Sequence, residues 1–135
     1  LGALFGSFIV TKVNKKFNNG IIWGAGLIID GITFSFFFWA DSIPMAMVMI
    51  FIHGIGIPMI MVSRTSIIQL YSPNKYHGRL FSVAHIGVVG TTALSSALIG
   101  IVSDYIYIKT IFLFIGICAS FCGLLGLSIK SIRKL

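Results

Sequence analysis

Four long apolar runs constrain this chain more than any other feature of its sequence. A helix needs about 20 residues to cross the hydrocarbon core of a bilayer, and the runs lie at about 21–39, 44–70, 79–102 and 109–128. Lipid offers no hydrogen bonds to an open backbone, and the runs are too long and uninterrupted for barrel strands, so they are predicted to be helices. The predicted fold class is an all-α, polytopic transmembrane helical bundle.

The composition excludes a soluble fold. The chain is 57% hydrophobic and 10% charged, and it contains no glutamate, whereas a soluble domain is about 25% charged. So few charged side chains could not cover the surface of a soluble protein with this many apolar residues. The chain is therefore predicted to be an integral membrane protein in contact with the lipid bilayer.

The two ends of the chain differ from the four runs. Residues 1–11 are apolar but too short to span a bilayer, and basic residues follow this stretch rather than precede it, which excludes a signal peptide. We interpret it as the second half of a span whose start is missing. A short basic tail at 129–135 ends the chain, so residues 1–135 are treated as a single transmembrane region.

Basic residues are concentrated on one side of the predicted spans. The loops on the opposite side hold a single basic residue, Lys109. The basic side holds eight of the ten Lys and Arg residues: Lys12, Lys15, Lys16, Lys75, Arg79, Lys130, Arg133 and Lys134. By the positive-inside rule, the basic loops and the C-terminus are predicted to be cytoplasmic. No aromatic-rich polar face accompanies them, so the net charge of +7 is attributed to topology and not to nucleic-acid binding.

Ionisable side chains inside apolar runs are costly and are treated as functional candidates. Asp30 and His53 lie at nearly equal sequence distances from the turn near Ser42, which predicts a pair at one depth. Such a pair would titrate as a unit and could carry protons; the alternative is a static hydrogen bond between helices. Arg64 and His85 are further candidates for a substrate or proton pathway, although Arg64 could instead snorkel to the interface.

Small and aromatic residues in the runs are assigned mechanical roles. Gly54, Gly56 and Pro58 interrupt one span and predict a hinge. The remaining small-residue patterns, at 2–6, 20–24, 91–97 and 123–126, are expected to serve helix packing. Aromatic residues crowd one end of the first full span and are expected to form an interface belt, with contact to an apolar substrate as the alternative: Phe34, Phe36, Phe37, Phe38 and Trp39.

The loop after the second full span carries the most specific pattern. It reads Q-x-x-x-P-x-x-x-x-G-R-x-F-S from Gln69 to Ser82, and a G-x-x-x-D pattern follows from Gly100 to Asp104. Both resemble the tenth-to-eleventh-helix region of Major Facilitator Superfamily exporters, closest to the macrolide-efflux and siderophore-exporter branch. In the loop, Gln69, Pro73, Gly78 and Arg79 are candidates for a cytoplasmic latch, with Pro73 ending a helix and Gly78 permitting a sharp turn. The alternative is a plain positive-inside turn.

The resemblance implies a partial C-terminal half, from the end of helix 8 to helix 12, in a bacterial cell membrane. The missing N-terminal half of the same transporter would then be a partner. Helix 9 is usually peripheral in this superfamily, so the resemblance favours His53 over Asp30 as the cavity residue. The chain departs from the family pattern at 6–19, the loop between helices 8 and 9, which often carries an aspartate in the family but has no acidic residue here. A gating salt bridge made by that aspartate is therefore not expected in this chain.

Together these features predict a proton-coupled efflux transporter for drug-like or siderophore-like small molecules, working by alternating access. The alternative is a non-transporting, truncated membrane module that packs against a partner chain. The chain has no phosphate-binding loop motif, its three histidines lack metal-ligand spacing, and its three carboxylates do not suggest a hydrolytic pair. We therefore predict no enzymatic activity, no cofactor and no metal.

Overall fold

The computed structural model describes residues 1–14 and 16–135, so Lys15 lies outside the described residues. The described part is helical, without strands, and confirms the all-α membrane bundle. Four of its helices, with their flanking 3-10 turns, are long and apolar enough to cross a membrane. The elements are α1 (Gly2–Val13), α2 (Asn19–Phe36), α3 (Ile43–Tyr71), α4 (His77–Val102), α5 (Ile108–Ser128) and the short α6 (Lys130–Arg133).

Proline chemistry sets both ends of α3. Ser42 precedes the helix in an extended conformation and Pro44 lies in its first turn, where a missing N–H costs nothing. The helix ends at Tyr71 because Pro73 pushes the residue before it into the extended region, where Ser72 lies. At 29 residues, α3 is roughly 43 Å long and projects beyond a hydrocarbon core of about 30 Å.

The turn between α3 and α4 is built differently from the prediction. Gly78 lies inside the first turn of α4, and none of the described glycines has a positive φ. The chain reverses instead through extended Ser72 and Pro73 and a 3-10 turn at Asn74–Tyr76. The prediction that Gly78 permits a sharp turn is therefore wrong, because the backbone there is ordinary helix, which any residue can adopt.

The helices pack in the order α1, α3, α2, α5, with α2 in contact with both α3 and α5. We call these four helices the slab. Helix α4 contacts α3 but contributes no buried residue. The slab therefore forms the packed part of the described structure, and α4 stands against it with little shared surface.

Glycines bring the helices of the slab close together. A Cβ added at Gly31 of α2 would meet the backbone N of Ser120, and one added at Gly116 of α5 would meet the carbonyl oxygen of Gly31. Without a hydrophobic effect between helices in lipid, such close backbone approach supplies the attraction. The packing role expected for the glycines at 2–6, 20–24 and 123–126 is confirmed by their burial, whereas the small residues at 91–97 are exposed.

The two ends of the bundle differ in how they are tied. At the end that we call the Asp41 end, the Asp41 carboxylate pairs with the ammonium of Lys109 at the start of α5. At the opposite, basic end, the segment around α6 is held through its main chain. Asn18 Nδ2 donates to the carbonyl oxygen of Arg133 at 3.1 Å, and Tyr71 Oη donates to that of Lys134 at 3.3 Å.

Candidate functional site

Asp30 of α2 and His53 of α3 meet inside the slab. Asp30 Oδ1 lies 2.8 Å from His53 Nδ1, and the two side chains are 18% and 23% exposed. Nδ1 has no hydrogen-bond partner of acceptable geometry, so the contact is a close electrostatic approach in which the ring is not aligned for a full hydrogen bond. The structure thus brings the two side chains together at one level, and their role as a proton carrier stays a prediction.

Close approach of α2 and α3 places this pair. Gly56 is about one turn from His53, and a Cβ there would lie 3.3 Å from the carbonyl oxygen of Gly26 and 3.4 Å from the amide N of Asp30. A larger residue at position 56 would push α3 away from α2. The glycine therefore sets the spacing at which the imidazole can reach the carboxylate.

An aromatic layer covers the pair on the side of the Asp41 end. It consists of Phe34 from the last turn of α2, Phe37 from the 3-10 turn that follows at Phe37–Trp39, and Phe112 from α5. The ring of Phe34 meets the His53 ring edge-on, with centroids 4.8 Å apart and planes at 84°. Phe34 also stacks on Phe112 at 5.8 Å, and Phe112 lies 5.6 Å from Phe37.

This layer changes the interpretation of the predicted aromatic belt. Phe36 and Trp39 are exposed and pack against each other, as a belt requires, whereas Phe34 and Phe37 turn inward. Sequence reasoning missed Phe112 as a partner. The spacing of Phe34, four residues after Asp30, was the available signal, because residues at that spacing share one face of a helix.

A cavity of about 870 Å³ lies between α2, α3, α4 and α5. Asp30 and Arg64 are the charged residues of its wall, and α4 contributes the hydroxyl-bearing Thr91 and Thr92. His53 is not part of this wall and lies behind Asp30. The structure thus places Asp30 on the cavity, in contrast to the expectation from the resemblance that His53 was the better cavity residue.

Arg64 lies between two cavities. It lines the central cavity with Asp30, and it also lines a smaller, open and apolar one of about 280 Å³ that is bordered by Trp23 and by Ile132 of α6. Within the described residues, no carboxylate lies at ion-pair distance from its guanidinium. Arg64 therefore borders the cavity, which is one of its two predicted positions, and its snorkelling to the membrane interface stays a prediction.

The other predicted residues lie apart from the Asp30–His53 pair. His85 is exposed on α4, and Gln69 and Arg79 are exposed beside the loop. The loop itself is closed by a contact of 3.0 Å between His77 Nε2 and the Ser72 carbonyl oxygen, which sequence reasoning did not single out. The proposed latch thus has no bond from Arg79 to another helix within the described residues.

The predicted hinge lies in a continuous helix. Helix α3 runs without interruption through Gly54, Gly56 and Pro58. Gly54 packs against the backbone of Gly2, and Gly56 packs against α2, so both glycines have a packing role in this conformation. Pro58 is buried and leaves the carbonyl of Gly54 without its usual helical donor, which is the local weakness that a hinge needs.

Among the described residues, no group of three His, Cys or Asp side chains is placed to hold a metal ion.

Comparison with known proteins identifies the family. No curated protein and no solved structure gives a match to this chain. A family model described as the Major Facilitator Superfamily matches residues 1–133. With nearly its whole length covered and spanning helices that pack as a bundle, the chain belongs to the Major Facilitator Superfamily of membrane transporters.

Proposed function

We propose that this chain is the C-terminal part of a proton-coupled efflux transporter for drug-like or siderophore-like small molecules. Membership of the Major Facilitator Superfamily supports transport as the activity. The observation that carries proton coupling is the contact between Asp30 and His53 at the wall of a cavity inside the spans. An ionisable pair at this depth is expensive, and it is typical of a proton relay.

The pair offers a simple way to bind and release one proton. An ionised Asp30 stabilises a protonated His53 at 2.8 Å, whereas a proton on the carboxylate removes that attraction. Leaving either charge alone inside the membrane would cost several kcal/mol, so in this proposal the two charges form and disappear together. Because Asp30 borders the cavity, a substrate that fills the cavity changes the solvation of the same carboxylate.

Alternating access would let this proton move in one direction as substrate moves in the other. The basic end is the cytoplasmic one in this proposal, since it carries most of the Lys and Arg residues. Arg64 and the hydroxyls of Thr91 and Thr92 on α4 offer polar contacts to a medium-sized organic substrate in a largely apolar cavity. Export and the position in the C-terminal half rest on the Gln69–Ser82 pattern.

The direct test uses the whole protein as cells produce it, purified into vesicles. An imposed pH gradient should drive ethidium, erythromycin or a catecholate siderophore against the proton flux, and collapsing the gradient should stop it. Flux of none of these probes, with folded protein, would favour the module that packs against a partner chain. The native polypeptide on a denaturing gel separates the two further: roughly 400 residues, about twelve spans with loops, is expected for the transporter.

Pro58→Ala tests the hinge. Alanine restores the N–H that the helix lacks at this position and is the better helix former by about 3 kcal/mol, so we expect unchanged or raised thermal stability together with a several-fold lower transport rate. The measurement is the initial rate of probe flux per folded protein.

Pro44→Ala is the matched control. Pro44 lies in the first turn of α3, so its replacement should leave the transport rate unchanged. A Pro58→Ala protein that transports at the full rate would contradict the hinge.

A further inference from the structure

We propose that Phe34 is a positioning residue that seals the Asp30–His53 pair from the Asp41 end, so that protons reach the pair from the cavity alone. This inference rests on the proposed proton coupling and adds a named barrier to it. A carrier that exchanges protons with both sides at once would dissipate the gradient without moving substrate. The pair therefore needs a closed side, and the aromatic layer lies on one side of it.

The position of Phe34 follows from helix geometry. Phe34 lies one turn beyond Asp30 on the same face of α2, in the direction of the Asp41 end. Its ring covers the His53 ring edge-on at 4.8 Å, and it is braced by Phe112 at 5.8 Å. Phe37 extends this cover by a further turn through its own contact with Phe112.

No free polar side chain of α2 bridges the layer. The hydroxyls near it, those of Thr33 and Ser35, donate to carbonyl oxygens of α2 itself, to Asp30 and Gly31 respectively, at 3.0 Å each. A chain of water molecules needs polar partners at each step, and rings of phenylalanine supply none. The opposite side of the pair differs, because Asp30 borders the cavity there.

Of the charged and titratable groups described on the helices around His53, the carboxylate of Asp30 is the one that faces its imidazole. Helix α2 presents Asp30 at 2.8 Å, and α3 itself carries Arg64, which lines the cavity. The other helices present their groups elsewhere: Lys12 at the basic end of α1, exposed His85 on α4, and on α5 Lys109 at the Asp41 end with exposed Cys118 and Cys122. Asp30 is thus the described charge that faces the imidazole.

Proton leak through the intact protein tests the seal. The whole transporter is placed in vesicles of phosphatidylethanolamine and phosphatidylglycerol that contain pyranine, and the decay of an imposed pH gradient is followed without substrate. Phe34→Ala should raise the leak about tenfold, equivalent to a barrier lowered by about 1.4 kcal/mol. Adding Asp30→Asn to Phe34→Ala should return the leak to the wild-type level, because the path runs through the carboxylate.

Two further variants keep the test decisive. Phe36→Ala on the same helix removes an exposed ring and should not leak. Phe34→Leu, which loses the ring but keeps an apolar side chain, serves if Phe34→Ala fails to fold and should leak more than the wild type. A folded Phe34 variant without extra leak would overturn the seal. So would a leak that persists in the double variant, because that leak bypasses the pair.

A second readout separates this inference from the proton coupling itself. Diethyl pyrocarbonate modifies accessible imidazoles, and the fraction of modified His53 is read by mass spectrometry without any transport assay. Phe34→Ala should raise that fraction and Phe36→Ala should not. Raised modification with no dependence of transport on Asp30 would retain the seal and reject the coupling, whereas unchanged modification with Asp30-dependent transport would reject the seal alone.

Discussion

Asp30→Asn is expected to lower transport driven by a pH gradient by about tenfold or more, equivalent to a barrier raised by about 1.4 kcal/mol or more. Asparagine keeps the size and polarity of the side chain but cannot bind or release a proton. Transport by the wild-type protein should vary with external pH because substrate is exchanged for protons, and the variant should lose most of this dependence. The measurement is the initial rate of probe flux at a series of pH values in vesicles.

Asp104→Asn is the matched control for this experiment. Asp104 is an exposed carboxylate after the end of α4, so its replacement removes one charge without touching the cavity and should leave the pH profile unchanged. An Asp30→Asn protein that keeps the wild-type profile would remove Asp30 from the proton path. The contact with His53 would then be a static one between two helices, worth about 0.6 kcal/mol on average.

Gly116→Ala is expected to have the largest effect on stability. The added Cβ would meet the carbonyl oxygen of Gly31 and the amide N of Ser35, and backbone atoms cannot rotate away as a flexible side chain can. The helices α2 and α5 would have to separate, at a cost of about 1–3 kcal/mol. We expect the midpoint of thermal unfolding in detergent to fall by about 5 °C.

Gly90→Ala provides the opposite expectation with the same chemical change. A Cβ at Gly90 of α4 would meet no atom within 4 Å, and alanine favours a helix by about 1 kcal/mol over glycine. The midpoint should therefore stay the same or rise slightly. Equal losses for the two variants would show that the contact between α2 and α5 does not account for the effect at Gly116.

The sequence predicts the spans and the level of the Asp30–His53 pair for a clear physical reason. Helix length against bilayer thickness and the distance of each residue from the turn are both one-dimensional quantities. Which residues pack against each face of a helix is not a one-dimensional quantity. In lipid an apolar side chain suits both the lipid and a neighbouring helix, so hydropathy does not distinguish inward-facing Phe34 from exposed Phe36, and it gives no sign that Phe112 completes the layer.

The same limit explains the residues whose surroundings differed from expectation. Gly78 and Gly56 are the same residue type, yet Gly56 fits closely against α2 and Gly78 has open space around it. Asp30 was expected away from the cavity, whereas its side chain borders the cavity of this chain. Which side chains border a cavity depends on contacts between residues far apart in sequence, and a single sequence does not contain them.

Within this chain, α4 is the wall of the cavity that shares the fewest contacts with the other walls. The other three sides belong to helices whose spacing is fixed by backbone contacts at glycines, whereas α4 has no buried residue. A displacement of α4 relative to the slab changes the volume around Asp30 and Arg64 and leaves the distance between Asp30 and His53 as it is. Within the described chain, the volume of the cavity and the geometry of the ionisable pair thus depend on different helices.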